Sequence, residues 1–171
     1  MISVKNAGSS LAAVTLLGPS GPIDTYALLP QGSVRAPISS GVDGPVWISS
    51  TQPVTAKVVT YYALIDKAQE PVGLYTYGAF DPTRATTHVA LPMLLGGYEG
   101  WHHGYGVYIQ NVGEISTTVT LRYVTDDGQV LIEQAVVEPG DVWQPPPLAL
   151  AYTHAAATAK ADQPIVALVT A

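Results

Sequence analysis

No cysteine occurs in the 171 residues, which excludes disulfides, a thiol nucleophile and thiolate metal sites. Charge is also scarce: Asp, Glu, Lys and Arg make up 12% of the chain, about half the share usual for a soluble domain. Basic residues are fewest, with 7 Lys and Arg against 13 Asp and Glu, giving a formal net charge of −6. Without a basic run, the electrostatic footprint of a nucleic-acid binder is missing. No apolar run approaches the ~20 residues of a membrane-spanning helix. The start, Met1-Ile2-Ser3-Val4-Lys5, lacks the basic and apolar regions of a secretion signal. What remains is plentiful apolar material (47%) with 16 Gly and 14 Pro. That combination predicts a packed core cut by many turns, not a disordered chain.

The apolar residues recur at period two. Ile2-Ser3-Val4-Lys5 alternates and meets Asn6-Ala7-Gly8; Ala13 to Leu17 stops at Gly18-Pro19. Val46 to Ser49, Val54 to Tyr62, Val107 to Gln110, Val119 to Val124, Val130 to Glu133 and Ile165 to Val169 continue the pattern. Short β-branched and aromatic runs between turn residues read as strands. Asp126-Asp127-Gly128 marks a hairpin, with Gly free to take the positive φ that such a turn wants. The alanine-rich stretch Leu148 to Ala161 has no helical apolar stripe and follows Pro145-Pro146-Pro147, which predicts mostly loop with at most a helical turn. The expected class is all-β.

The sequence also repeats itself. Ile2-Ser3-Val4-Lys5-Asn6-Ala7-Gly8 lies over Val107-Tyr108-Ile109-Gln110-Asn111-Val112-Gly113 at an offset of 105, as does Val14-Thr15-Leu16 over Val119-Thr120-Leu121. Gly32-Ser33-Val34 matches Gly140-Asp141-Val142 at an offset of 108, and Gln52-Pro53-Val54 matches Gln163-Pro164-Ile165 at 111. The offset grows only in turn regions, as in duplicated β-domains, whose loops absorb insertions. Two tandem antiparallel β-sandwich units are therefore expected, the first over 1–66 and the second over 67–171. In the repeated motif Asn-x-Gly, Asn is expected to bond back to the backbone and Gly to supply a left-handed residue. Residues 72–106 have no counterpart ahead of Ile2, so the first copy is expected to leave an edge or apolar face open.

Several of these motifs, taken in order, resemble a known pattern. Tyr75-Thr76-Tyr77-Gly78-Ala79-Phe80, Leu91-Pro92-Met93-Leu94-Leu95, Gly100-Trp101, Val107 to Gly113 and Asp162 to Ala167 together look like one unit of the tandem-repeat, Ig-like β-sandwich proteins of bacterial cell surfaces and secretomes. The resemblance covers 72–171 and extends to 1–62 as a unit lacking its front. It implies an extracellular or cell-surface location and a repetitive, non-catalytic, structural or adhesive role.

Candidate chemistry concentrates in one segment, Tyr98 to Tyr108. Tyr98, Trp101 and Tyr105 offer an aromatic platform of the kind that stacks on sugar rings, and the same residue types also close sandwich cores. A carbohydrate-binding module is thus the alternative reading. His102 and His103 are adjacent, so on an extended chain they face opposite sides and do not chelate. Asp126-Asp127-Gly128 lacks the spaced ligand ladder of a calcium loop. No nucleophile elbow, phosphate-cradling glycine loop or His-Glu-x-x-His is present. No catalytic residue, metal ligand or cofactor site is assigned.

Charge is distributed unevenly. Residues 1–85 hold five basic and five acidic residues, whereas 86–171 hold two and eight. A first unit with so few charges must show much uncharged surface, and charge is depleted in the cores of protein interfaces. A partner of the protein's own kind, in a head-to-tail filament or surface layer, is the expectation; a virion-associated β-protein fits the same composition.

Overall fold

The computed structural model describes residues 1–38, 44–62, 73–95, 106–146 and 154–170. The described chain is all-β, apart from one 3-10 turn at Pro82–Arg84. It forms two compact units, Met1–Ala79 and Phe80–Ala171.

The first unit holds β1 (Ile2–Asn6), β2 (Ala12–Gly18), β3 (Gly21–Leu28), β4 (Ser33–Ala36), β5 (Trp47–Ser50), β6 (Val54–Tyr62) and β7 (Gly73–Gly78). These make two antiparallel sheets, β4-β1-β6-β7 and β3-β2-β5. Alternation assigns the faces. Ile2 and Val4 of one sheet, and Ala12, Val14 and Leu16 of the other, are buried in a single core. The residues between them in sequence face outward or lie half-buried.

The second unit holds β8 (Thr86–Leu95), β9 (Gly106–Asn111), β10 (Thr117–Thr125), β11 (Val130–Val137), β12 (Val142–Trp143) and β13 (His154–Thr170). Its sheet runs β11-β10-β13-β9-β12, with β8 added on β13. β13 serves two sets of neighbours: residues 155–160 pair with β10 and 165–170 with β9. The ladder is interrupted around Asp162 and Gln163, whose N–H groups both donate to the buried Thr117 hydroxyl, at 3.1 and 3.3 Å. That hydroxyl satisfies the backbone where the strand changes partner.

Three expectations are corrected here. The alanine-rich stretch is strand from His154 onward, not loop. Ala155, Ala157, Ala159 and Ala161 are buried and Ala156, Thr158 and Lys160 exposed, so the segment obeys period two with a methyl-sized core face. Alanine's low β-propensity yields to the need for a thin strand between β10 and β8. The division expected between 66 and 67 falls instead between Ala79 and Phe80, because β7 pairs with β6 of the first unit. And β1 is no open edge: it is paired with β4 on one side and β6 on the other.

Candidate functional site

The feature built most carefully in both units is a buried polar corner. Asn6 ends β1 with its side chain fully buried. Its Nδ2 donates to the carbonyls of Ser10 (2.8 Å) and Leu28 (3.0 Å), and its Oδ1 accepts from the Gly8 N–H (2.8 Å). Asn111, equally buried at the end of β9, donates to Ile115 (2.9 Å) and Val137 (2.9 Å) and accepts from Gly113 (2.8 Å). A buried amide that uses both its N–H groups and its carbonyl oxygen in this way fixes the path of three chain segments at once.

The bonds around the corner also correspond. Ala7 N–H donates to Pro53 at 2.8 Å and Val112 N–H to Pro164 at 3.0 Å. Asn6 N–H reaches Gly32 and Asn111 N–H reaches Asp141, while Gln31 N–H and Gly140 N–H return to the two asparagine carbonyls. These partners place Gln31 against Gly140, an offset of 109 rather than the 108 of the sequence match. The one-residue difference decides which side chain faces the core, because strand side chains alternate. Val34 therefore corresponds to Trp143, both packed on a core, and exposed Val142 corresponds to exposed Ser33.

The turns that carry these bonds read Leu29-Pro30-Gln31-Gly32 and Glu138-Pro139-Gly140-Asp141. Each has Pro at its second position, a left-handed third residue (φ 63° at Gln31, 82° at Gly140) and a bond from the fourth N–H to the first carbonyl. This is type II chemistry, which prefers Gly third. Gln31→Gly is expected to stabilise the first unit by about 0.5–1 kcal/mol, and Gly140→Ala to cost the second about 1–2 kcal/mol. Urea unfolding of the two variants checks both signs.

The glycines of Asn-x-Gly do not supply left-handed residues, contrary to expectation: neither Gly8 nor Gly113 has a positive φ. They are required by space. A Cβ on Gly8 would lie 2.7 Å from Gln52 Oε1, and one on Gly113 would lie 2.6 Å from Gln163 Oε1 and 2.7 Å from Gln163 Cβ. This explains why Gln-Pro recurs together with Asn-x-Gly: the glutamine lies flat against the glycine.

Titratable side chains are dispersed. Among the described residues no three of His, Asp and Glu gather in a way that could hold a metal ion. The Asp126–Asp127 loop is a hairpin between β10 and β11, as its sequence predicts. Gly128 has φ 83°, the Thr125 hydroxyl donates to Asp127 Oδ1, and Gln129 Nε2 donates to Oδ2 at 2.9 Å. The Thr125 hydroxyl, followed by the Gln129 N–H, holds the Asp127 carboxyl below its ordinary pKa. His154 Nδ1 lies 3.6 Å from Asp126 Oδ2, with both side chains more than half exposed. His88 lies apart on β8, beside Thr87 Oγ1 at 3.1 Å. Tyr98, Trp101 and Tyr105, like His102 and His103, lie outside the described residues.

Two surface features went unread in the sequence. On β11, Val130, Ile132 and Val136 all face out, with exposures of 46%, 61% and 68%, beside Arg122 and Thr118 of β10. Period two predicted a strand there without saying which face met water. In the first unit, Leu11 and Leu29 project at 57% and 70% exposure, just beyond the paired residues Ala12 and Leu28.

No family model and no curated protein matches the chain. Among solved structures, the Anabaena sensory rhodopsin transducer is similar at 19% identity, with a TM-score of 0.42 over 50% of this chain and 96% of that one. Among the described residues no helix is long and apolar enough to cross a membrane.

Proposed function

We propose that this protein is a non-catalytic structural or adhesive repeat protein of the extracellular or cell-surface type, built from Ig-like units and assembling head to tail with copies of itself. The observation that supports this reading is the repetition of the asparagine corner. Both units devote a fully buried polar side chain to the same turn-fixing task, so their most specific chemistry goes into shape. The exposed apolar stripe of β11 supplies a sticky surface on one unit. By register, the places of Val136 and Ile132 are taken on β3 by the smaller Ala27 and Pro22, so the two units present unlike faces. Contact between unlike faces is heterologous, and heterologous contacts that do not close grow into filaments.

The test is particle mass against concentration, by solution scattering and negative-stain imaging of the full chain. Mass that rises with concentration is expected. The double substitution Ile132→Lys and Val136→Lys is expected to weaken assembly by about tenfold or more without lowering the melting temperature, since both side chains already face water. A constant monomer over a hundredfold concentration range overturns the reading.

A further inference from the structure

The hydrogen-bonded correspondence of the two units shows a strand in one that has no counterpart among the described residues of the other. On β2, Leu16 pairs with Ile48 and Thr15 with Ser49 of β5. On β10, Leu121 pairs with Ala159 and Thr120 with Lys160 of β13. β5 therefore occupies in the first unit the place of residues 157–161 in the second. There, β13 is flanked on its far side by β8, with Ala159 opposite Val89 and Lys160 opposite His88. Among the described residues, β5 pairs with β2 alone.

The consequence is visible in the core. Behind β8, Ala157, Ala159 and Ala161 are all buried, and β8 itself buries Leu91 and Leu94. At the corresponding places, Val46 just before β5 and Ile48 and Ser50 on it are only half-buried, although Val46 and Ile48 are larger than the alanines. The bond from the Thr51 N–H to the Ala13 carbonyl (3.1 Å) sets the ladder's phase. By antiparallel alternation, the N–H groups of Ile48 and Ser50 then point away from β2. Backbone donors and an incompletely covered apolar face open on the same side.

We infer that the edge of β5 left unpaired among the described residues accepts an extended strand of β8's chemistry from a second molecule. That strand is uncharged, apolar at alternate positions on its core side, and runs antiparallel to β5. The β8 sequence, Thr86 to Leu95, contains no Asp, Glu, Lys or Arg, and neither does β5. By the register of β8 on β13, the incoming residues equivalent to Ala90, Val89 and His88 stand opposite Trp47, Ile48 and Ser49. The main chain supplies affinity through new ladder bonds, and the pair Val46 and Ile48 selects for alternate apolar side chains. The inference rests on the assembly reading only in taking the strand from another molecule.

The probe is a synthetic peptide of residues 84–96 added to the full-length protein, followed by residue-resolved amide exchange. Exchange at Ile48 and Ser50 is expected to slow by about tenfold or more at saturation, with 157–160 unchanged and a scrambled peptide inert. Ser50→Pro deletes one outward donor while sparing the β2 ladder, and is expected to weaken peptide binding by about tenfold. Ile48→Asp, which places a charge on the core face of the edge, is the second variant, and retained exchange protection in β2 certifies its fold. If Ile48 and Ser50 are already protected without peptide in the dilute monomer, or if the peptide protects only 157–160, the inference fails. Dimerisation through β5 itself, abolished by Ser50→Pro, overturns it equally. A protein that assembles but ignores the peptide refutes this edge and leaves the assembly reading standing. One that binds the peptide but never assembles does the reverse.

Discussion

Asn111→Asp is expected to destabilise the second unit by about 4 kcal/mol at neutral pH, and Asn6→Asp the first by a similar amount. Each asparagine donates two N–H bonds to backbone carbonyls in a fully buried site. A carboxylate cannot donate, so it would set negative charge against two carbonyl oxygens with only a glycine N–H to offset it. Protonation restores one donor. The folded-state pKa of the introduced group is therefore raised above its unfolded value. Its contribution is least unfavourable below the unfolded pKa, and stability falls as pH rises through the folded one. The variants should be nearest to the parent at pH 4 and worst at pH 7. Asn111→Ala, which removes three bonds without adding charge, should cost about 3 kcal/mol with no such pH dependence. Guanidinium unfolding at the two pH values, with amide exchange to identify the affected unit, measures both. A loss below about 1 kcal/mol for Asn111→Ala would mean that the corner is not an organising element.

How much of this could be read from the chain follows from what each signal depends on. The strands were legible because period two is a local property, and the repeat was legible because Asn-x-Gly and Gln-Pro are short, fixed motifs. Their pairing across the fold was not. That Gly113 is needed for the proximity of Gln163, and not for its φ, is a contact between residues fifty apart. The slip at Gly140 has a similar origin: Gly matched Gly in sequence, but the left-handed position of the first turn is filled by Gln31. The strand from His154 was missed because an alanine run carries no periodic hydrophobic contrast, and only its neighbours make every second methyl a core residue. The aromatic segment at Tyr98, Trp101 and Tyr105, the sequence's one suggestion of a ligand site, lies outside the described residues.

The contrast between Ala159 and Ile48 yields the second large effect. The two residues occupy corresponding places, opposite Leu121 and Leu16, both of which are fully buried. Yet Ala159 has no exposure at all, being closed over by β8 with Val89 opposite, whereas Ile48 stays half-buried. Ala159→Ile would insert three further carbons into a space that β8 has already filled. Overpacking of this kind forces off-rotamer side chains or backbone movement, and about 3 kcal/mol of lost stability is expected. The cheapest relief is for β8 to lift, because among the described residues it pairs with β13 alone, and that pairing is already interrupted near Ala156. Amide exchange in Val89 to Leu91 should accordingly accelerate more than exchange in β9 or β11. The reciprocal change, Ile48→Ala, should cost only about 1 kcal/mol, since a half-exposed side chain has less transfer free energy to lose and its removal leaves no closed cavity. Thermal and urea unfolding of the two variants tests the asymmetry. Equal costs, or an Ala159→Ile variant as stable as the parent, would show that β8 does not seal the second unit and that the two strands do not differ in the way their burial implies.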